Sequence, residues 1–289
     1  MMKEESDAFA GVGAGALPHA SAPTGKVFWE TRHARTGVRI ASLLTCIAAW
    51  QWASSSHVNF GLVNFRDVPA PTEVLGAMGT LVMSGKLFQH VRNSLFRVFA
   101  GFALAAVTGI PAGLVLGRSR LAEDIVSAPL ELLRPIPGVA WIPLAILMFP
   151  SSEASMVFIT YMGAFFPILL NTVHGVEGLD ARLITASRSL GASRSDVFLE
   201  VILRGSLPSI LTGLSIGMGT AWFCLVTAEM IAGQYGIGYY TWESYNLQNY
   251  PGIVVGMVFI GAFGMLSSVL VKRVGGWLMP WYRLERHSQ

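Results

Sequence analysis

The sequence predicts an all-α protein, a polytopic membrane helix bundle of about six transmembrane helices. Three observations carry that expectation. Of 289 residues, 53% are hydrophobic and only 13% charged, whereas soluble domains carry about 25% charged residues. The apolar residues collect in runs long enough to cross a bilayer, which needs roughly 20 residues per helix. Between two of these runs lies a polar stretch, GLDARLITASRSLGASRSDVFLEVILRGSLPSI, with Arg182, Arg188, Arg194 and Arg204.

The first 36 residues are rich in Gly, Ala, Ser and Pro (GVGAGALPHASAPTG). They show no apolar periodicity and are expected to be a disordered cytoplasmic N-terminus. The transmembrane part is expected over 37–275, with a cytoplasmic tail over 276–289. Spans are expected at 37–55, 94–117, 122–148, 154–175, 205–232 and 250–271. The first run follows a long polar start rather than a short charged one, so it reads as a retained span, not a cleaved signal. The third run is interrupted by Arg134-Pro135-Ile136-Pro137-Gly138. Proline removes a backbone donor and disfavours helix in the residue before it, so this span reads as two half-helices.

Basic residues orient the chain. With the N-terminus inside, fifteen Lys and Arg are cytoplasmic, and only Arg66, Lys86, Arg92 and Arg97 fall outside or at the outer boundary. Both termini are then cytoplasmic. Val68-Pro69-Ala70-Pro71-Thr72 reads as an extended stop before an amphipathic outer helix over 73–88. Glycines recur at four-residue spacing, at Gly109, Gly113 and Gly117, at Gly213 and Gly217, and at Gly252 and Gly256. Such spacing lets helix backbones approach closely. Cys46 and Cys224 form no metal-type spacing and read as small packing residues. The net charge of +3 does not suggest a nucleic-acid partner.

In the polar stretch, Leu183, Ala186 and Leu190 share one helical face. Gly191 then permits a left-handed turn. Ser193-x-x-Asp196 is a helix-start pattern. A second short helix is expected to run to about Leu203, with Pro208 marking the start of the fifth span. The product is a helix, a glycine turn and a helix. Residues alone leave an ordinary solvated loop equally open.

This stretch resembles the coupling loop of the permease components of ABC importers, the binding-protein-dependent inner-membrane components. Their motif runs Glu-Ala-Ala, three residues, Gly, nine residues, Ile, one residue, Leu-Pro. Here Thr185-Ala186-Ser187, Gly191, Val201 and Leu203-Arg204 stand at those positions, with Thr185 in place of Glu and Arg204 in place of Pro. Further segments resemble the nitrate/sulfonate/taurine branch: PAPTEVLGAM, SLFRVFAGFALAAVTGIPAGLVLG, RPIPGVAWIPLAILMF, FFPILLNTVHGV, LPSILTGLSIGMGTAWFCLVTAEM and GIGYYTWESYNLQNYPGIVVGM. The likeness spans about 60–275.

The resemblance implies a type I ABC-importer permease fold in a bacterial inner membrane. It implies a second permease copy, two cytoplasmic ATPase subunits and an external substrate-binding protein. Coupling to the ATPase falls on Thr185, Ala186, Ser187, Arg188, Gly191, Ala192 and Ser193. The chain has no G-x-x-x-x-G-K-[ST] loop, so ATP is expected on a separate subunit and no cofactor here. It also lacks the common catalytic motifs, H-E-x-x-H and G-x-S-x-G, and is not expected to be an enzyme.

Within the spans, Arg134 and Glu229 stand out, because intramembrane charges are costly and tend to be functional. They read either as a structural pair or as stations on an anion path, with Asn171 and Thr172 as polar lining. The alternative function is an ion-gradient-driven secondary transporter, for which Glu229 is the candidate carboxylate. The Gly-, Tyr- and Asn-rich stretch from Gly233 to Tyr250 reads as a docking surface for a binding protein or as a closure of the outer mouth.

Overall fold

Apolar runs become helices because a bilayer offers no partner to free backbone N–H and C=O groups. The computed structural model describes residues 32–59, 61 and 65–280. Eleven α-helices follow one another: α1 Arg32–Ser55, α2 Pro71–Met83, α3 Lys86–Leu116, α4 Arg120–Leu133, α5 Ile142–Met148, α6 Ser152–Glu177, α7 Ala181–Ser189, the single turn α8 Arg194–Asp196, α9 Arg204–Ala232, α10 Ile237–Asn246 and α11 Tyr250–Leu278. No β-strand occurs among the described residues. Most of the stretches 1–36 and 276–289 lie outside the described residues. The chain divides into two units, up to Trp50 and from Gln51 onward; α1 runs through the boundary, and the other helices belong to the second unit.

Among the described residues, four helices are long and apolar enough to cross a membrane: α3, α6, the continuous 194–232 helix, and α11. α4 and the Gly138–Met148 helix pass the same test only together, bent by 83°, as in a broken span or a re-entrant loop. The break falls where Pro135 and Pro137 remove backbone donors. Its Gly138 is pressed into the bundle, where a Cβ would come within 2.7 Å of the Cys224 Sγ. Cys224 is therefore the packing residue expected, while Cys46 on α1 is exposed. α1 covers the first expected span but is not among the strongly apolar helices. α3 starts at Lys86, earlier than the apolar run, and so carries Arg92 and Arg97 within the helix.

Outward faces are apolar. Leu104, Val107, Phe223, Ile231 and Met265 are all more than half exposed, as lipid-facing side chains are. The centre is built by α3, α6 and α9 around Val98, Ile159, Ile168, Met218, Trp222 and Leu225. Glycine sets the spacing. A Cβ on Gly113 of α3 would sit 2.6 Å from the Thr172 Cβ and 2.8 Å from the Leu169 carbonyl oxygen of α6. A Cβ on Gly213 of α9 would meet Asn171 at 2.8 Å on the other side of α6. The four-residue glycine spacing is thus a row of close helix contacts.

Pro208 does not start α9 as expected, but lies inside it. The helix runs on through it, and the Val197–Leu203 turns that precede α9 have π geometry. The buried Ser206 hydroxyl sits between the Ile202 and Leu203 carbonyls, at 2.8 and 3.2 Å, and supplies them with a donor.

Gly113→Val is expected to overpack the α3–α6 contact and to destabilise the protein by about 1–3 kcal/mol. Thermal unfolding in detergent checks this. Gly79, with open space around it, serves as the control position and should tolerate alanine.

Candidate functional site

Two features stand out from the bundle, one at each end of it. The first is the polar segment. Asp180 caps α7, accepting from the Arg182 N–H at 2.8 Å. α7 closes on Gly191, at φ +88°, with the Ala192 N–H on the Ser187 carbonyl at 3.1 Å and the Gly191 N–H on the Arg188 carbonyl at 3.0 Å. This is a Schellman closure, which needs a left-handed residue at that position. Ser193 and Asp196 then form a reciprocal capping box, at 3.2 Å from the Asp196 N–H and 3.1 Å from the Ser193 N–H. Every turn of the segment is locked by its own local hydrogen bonds.

A second small core seats the segment. Val197, Ile202 and Ile210 pack with Leu114 and Val176, and Ile184 and Ala192 lie against them. That leaves the face anticipated as an apolar stripe turned outward: Leu183 is 55% and Leu190 89% exposed. Thr185, Ala186, Arg188 and Ser193 are exposed too, and Ser187 is half-buried. A rigid element with exposed leucines and arginines can transmit force to whatever covers it.

The second feature is a buried ionic cluster. Arg97 and Glu229 are both fully buried, with Arg97 Nη1 donating to Glu229 Oε1 at 2.8 Å. Arg97 Nε donates to Glu153 Oε2 at 2.7 Å, and its Nη2 to Glu153 Oε1. Nη1 also reaches the Tyr235 carbonyl at 2.5 Å. Glu229 accepts from the Ser94 hydroxyl (2.7 Å) and the Gly238 N–H (3.0 Å). The Ile237 N–H donates to Ser94 Oγ at 2.9 Å, and the Gly236 N–H to His90 Nδ1 at 3.1 Å. His90 is therefore unprotonated at Nδ1. Its ring lies about 6 Å from those of Tyr235, Tyr239 and Tyr240. Gly236, at φ +137°, has no room for a Cβ, which would strike the Glu229 carboxylate.

The cluster joins four elements. His90, Ser94 and Arg97 lie on one face of α3, Glu153 begins α6, Glu229 ends α9, and the 235–238 turn leads into α10. The pair is viable without water because nearly every donor and acceptor has a partner. Glu153 is the open side of the cluster, with its side chain 56% exposed.

Glu229 thus pairs with Arg97, and the structure does not bring it together with Arg134. Arg134 is exposed after the last turn of α4 and lines a cavity with Glu131, His174 and Glu177. Glu177 closes the end of α6 opposite to Glu153, and at 1.5 Å per residue those ends lie about 36 Å apart. Asn171 and Thr172 donate back to their own helix, to the Pro167 carbonyl at 2.8 Å and the Ile168 carbonyl at 2.7 Å. Thr172 is fully buried against Gly113.

Sequence reasoning missed His90, Ser94 and Arg97 as a set. Their i, i+4, i+7 spacing in front of Gly101 was the available signal. The distribution of basic residues alone puts Arg97 outside or at the outer boundary.

The chain belongs to the family of binding-protein-dependent transport system inner membrane components, whose pattern matches residues 109–284. It is 36% identical to a putative aliphatic sulfonates transport permease of Escherichia coli, over 83% of this chain and 90% of that protein. It is 34% identical to a nitrate import permease of Leptolyngbya laminosa, over 67% of this chain and 70% of that one. A putative ABC transporter permease of Methanocaldococcus jannaschii is 42% identical over 66% of this chain and 70% of its own length.

Replacing Glu229 by Ala is expected to destabilise the fold by about 3–5 kcal/mol, because it leaves the Arg97 guanidinium buried without its partner. Arg97→Ala should cost a similar amount, and the double variant clearly less than the sum of the two. Arg134→Gln should stay within about 0.5 kcal/mol of the parent. Unfolding midpoints of the four variants and the parent in one detergent check the set.

Proposed function

We propose that this chain is the permease subunit of an ATP-driven importer for a small oxyanion of the sulfonate or nitrate type, delivered by an external binding protein. The observation that carries the reading is the polar segment from α7 to α8, locked by caps, seated on its own core and exposing Leu183 and Leu190. A motor subunit gripping this segment would pass its motion to α9, which continues from it without a break. The family membership and the relatives' names support the importer reading and the substrate class.

Two ATPase subunits, one per permease copy, are the partners this arrangement calls for. A second copy of the chain would find an apolar face on α4, which buries no residue and exposes Leu121, Ile125 and Leu132. At the other end, Trp242, Tyr245 and Leu247 are exposed around α10. Aromatic anchors among polar groups suit a docked binding protein. An ion-gradient mechanism would need a titratable carboxylate free to exchange protons. Glu229 instead is engaged by Arg97, Ser94 and the Gly238 N–H, which speaks against it.

The proposed orientation has both termini in the cytoplasm of an inner-membrane protein. Single-cysteine probes at Ser152 and Asn246 should then react with an impermeant reagent added outside sealed cells, and a probe at Ser193 should not. Labelling at position 193 would invert the topology.

Reconstituted alone, the chain should show no ATPase activity and no gradient-driven uptake; with its ATPase and binding protein, ATP should drive uptake. Accumulation by the isolated chain under a proton or sodium gradient would refute the reading. Within the complex, Gly191→Val should uncouple hydrolysis from uptake, because a β-branched side chain resists the positive φ. Gly191→Asn should retain most transport, since Asn visits that conformation.

A further inference from the structure

Arg118 follows the last turn of α3, Arg188 lies in the last turn of α7, and Arg194 opens α8. With Ala192 they line one cavity of about 450 Å³. None of the three is in an ion pair among the described residues. Guanidinium groups keep their charge in any environment a protein offers. Three of them around one cavity repel each other and call for an anion, which their planar forks would hold by paired hydrogen bonds.

A second cavity, of about 350 Å³, adjoins the first and shares Arg118. Its other walls are Pro111, Leu114, Val115, Ser119 and Phe198. Val115 is 57% exposed and Phe198 37%. Pro111 to Val115 form the last turns of a membrane-spanning helix. The apolar cavity therefore lies beside the end of an apolar span, and the arginines lie just beyond that end. A small free oxyanion would fill the first cavity and leave the second without an occupant. A ligand with an anionic head and an apolar chain fills both.

We propose that this composite is a binding site for one anionic phospholipid. Its phosphate sits among Arg118, Arg188 and Arg194, and an acyl chain runs along Pro111, Val115 and Phe198. Basic pockets beside transmembrane helices recognise anionic headgroups in this way. Arg188 and Arg194 flank the Gly191 turn, so the bound lipid ties that turn to the end of α3. Membrane composition would thereby set how firmly the polar segment is held, whatever the protein transports.

The test uses the full chain in detergent, with native mass spectrometry during titration of phosphatidylglycerol or of phosphatidylcholine with the same chains. The parent protein should bind one phosphatidylglycerol at least about tenfold more tightly than phosphatidylcholine, as three arginines at a headgroup imply. Arg118→Gln should weaken phosphatidylglycerol about fivefold, one arginine's share, and leave phosphatidylcholine unchanged. Phe198→Ala, which keeps all three charges, should also weaken phosphatidylglycerol while the unfolding midpoint stays close to that of the parent. An unchanged lipid preference in Arg118→Gln would overturn the proposal, as would an unchanged affinity in Phe198→Ala. Inorganic phosphate at a concentration equal to the lipid should not displace phosphatidylglycerol; displacement would assign the arginines to a free anion and remove the lipid. Loss of ATPase-subunit binding in Arg118→Gln with lipid binding intact would make the cavity a protein contact, and would equally overturn the proposal.

Discussion

A guanidinium and a carboxylate removed from solvent, Arg97 and Glu229, tie together four elements at one end of the bundle. The cost of burying either charge alone is large. It is offset only because α3, α6, α9 and the turn into α10 all deliver partners to the same point: Ser94, Glu153, the Tyr235 carbonyl and the Gly238 N–H. Each of these partners constrains the backbone that carries it. The 235–238 turn, for instance, must bring its N–H groups onto His90, Ser94 and Glu229, and only a residue without a side chain fits at Gly236. The conformation of that turn, and with it the direction in which α10 leaves, follows from satisfying one ion pair.

The middle and the far end of the bundle are held by different means. Along the centre, Gly113, Gly213 and their neighbours let α3, α6 and α9 approach until side chains of one helix touch the backbone of the next. Close packing of this kind supplies dispersion energy where hydrophobic burial drives little, since lipid is as apolar as the core. At the far end the polar segment relies on caps and on a small apolar seat. The result is a helix pair that is internally stiff yet exposes its distal face. That combination suits a part that is pushed on by something else.

Much of this was legible in the residues. The helical spans, the break at Pro135 and Pro137, the close-contact glycines, the Gly191 turn and the Ser193 cap all follow from local rules: run length, a missing donor, a missing Cβ, a short hydroxyl before a helix. Each depends on a few neighbouring residues, so each can be read without knowing the rest of the chain. The motif around Thr185 to Ser193 pointed to the family for the same reason, since its spacing is local. Pro208 reads as a helix start, yet the helix runs through it, after turns of π geometry at Val197–Leu203.

What the sequence determined by itself was therefore the elements, their order and their caps. Tertiary structure alone decided which charges meet. Arg134 and Glu229 were the two conspicuous intramembrane charges, but they sit beside opposite ends of α6, and the partner of Glu229 came from a residue 132 positions earlier in the chain. Charge at a position is visible in a sequence. The distance between two charges on different helices is not, because it is set by the packing of every helix between them.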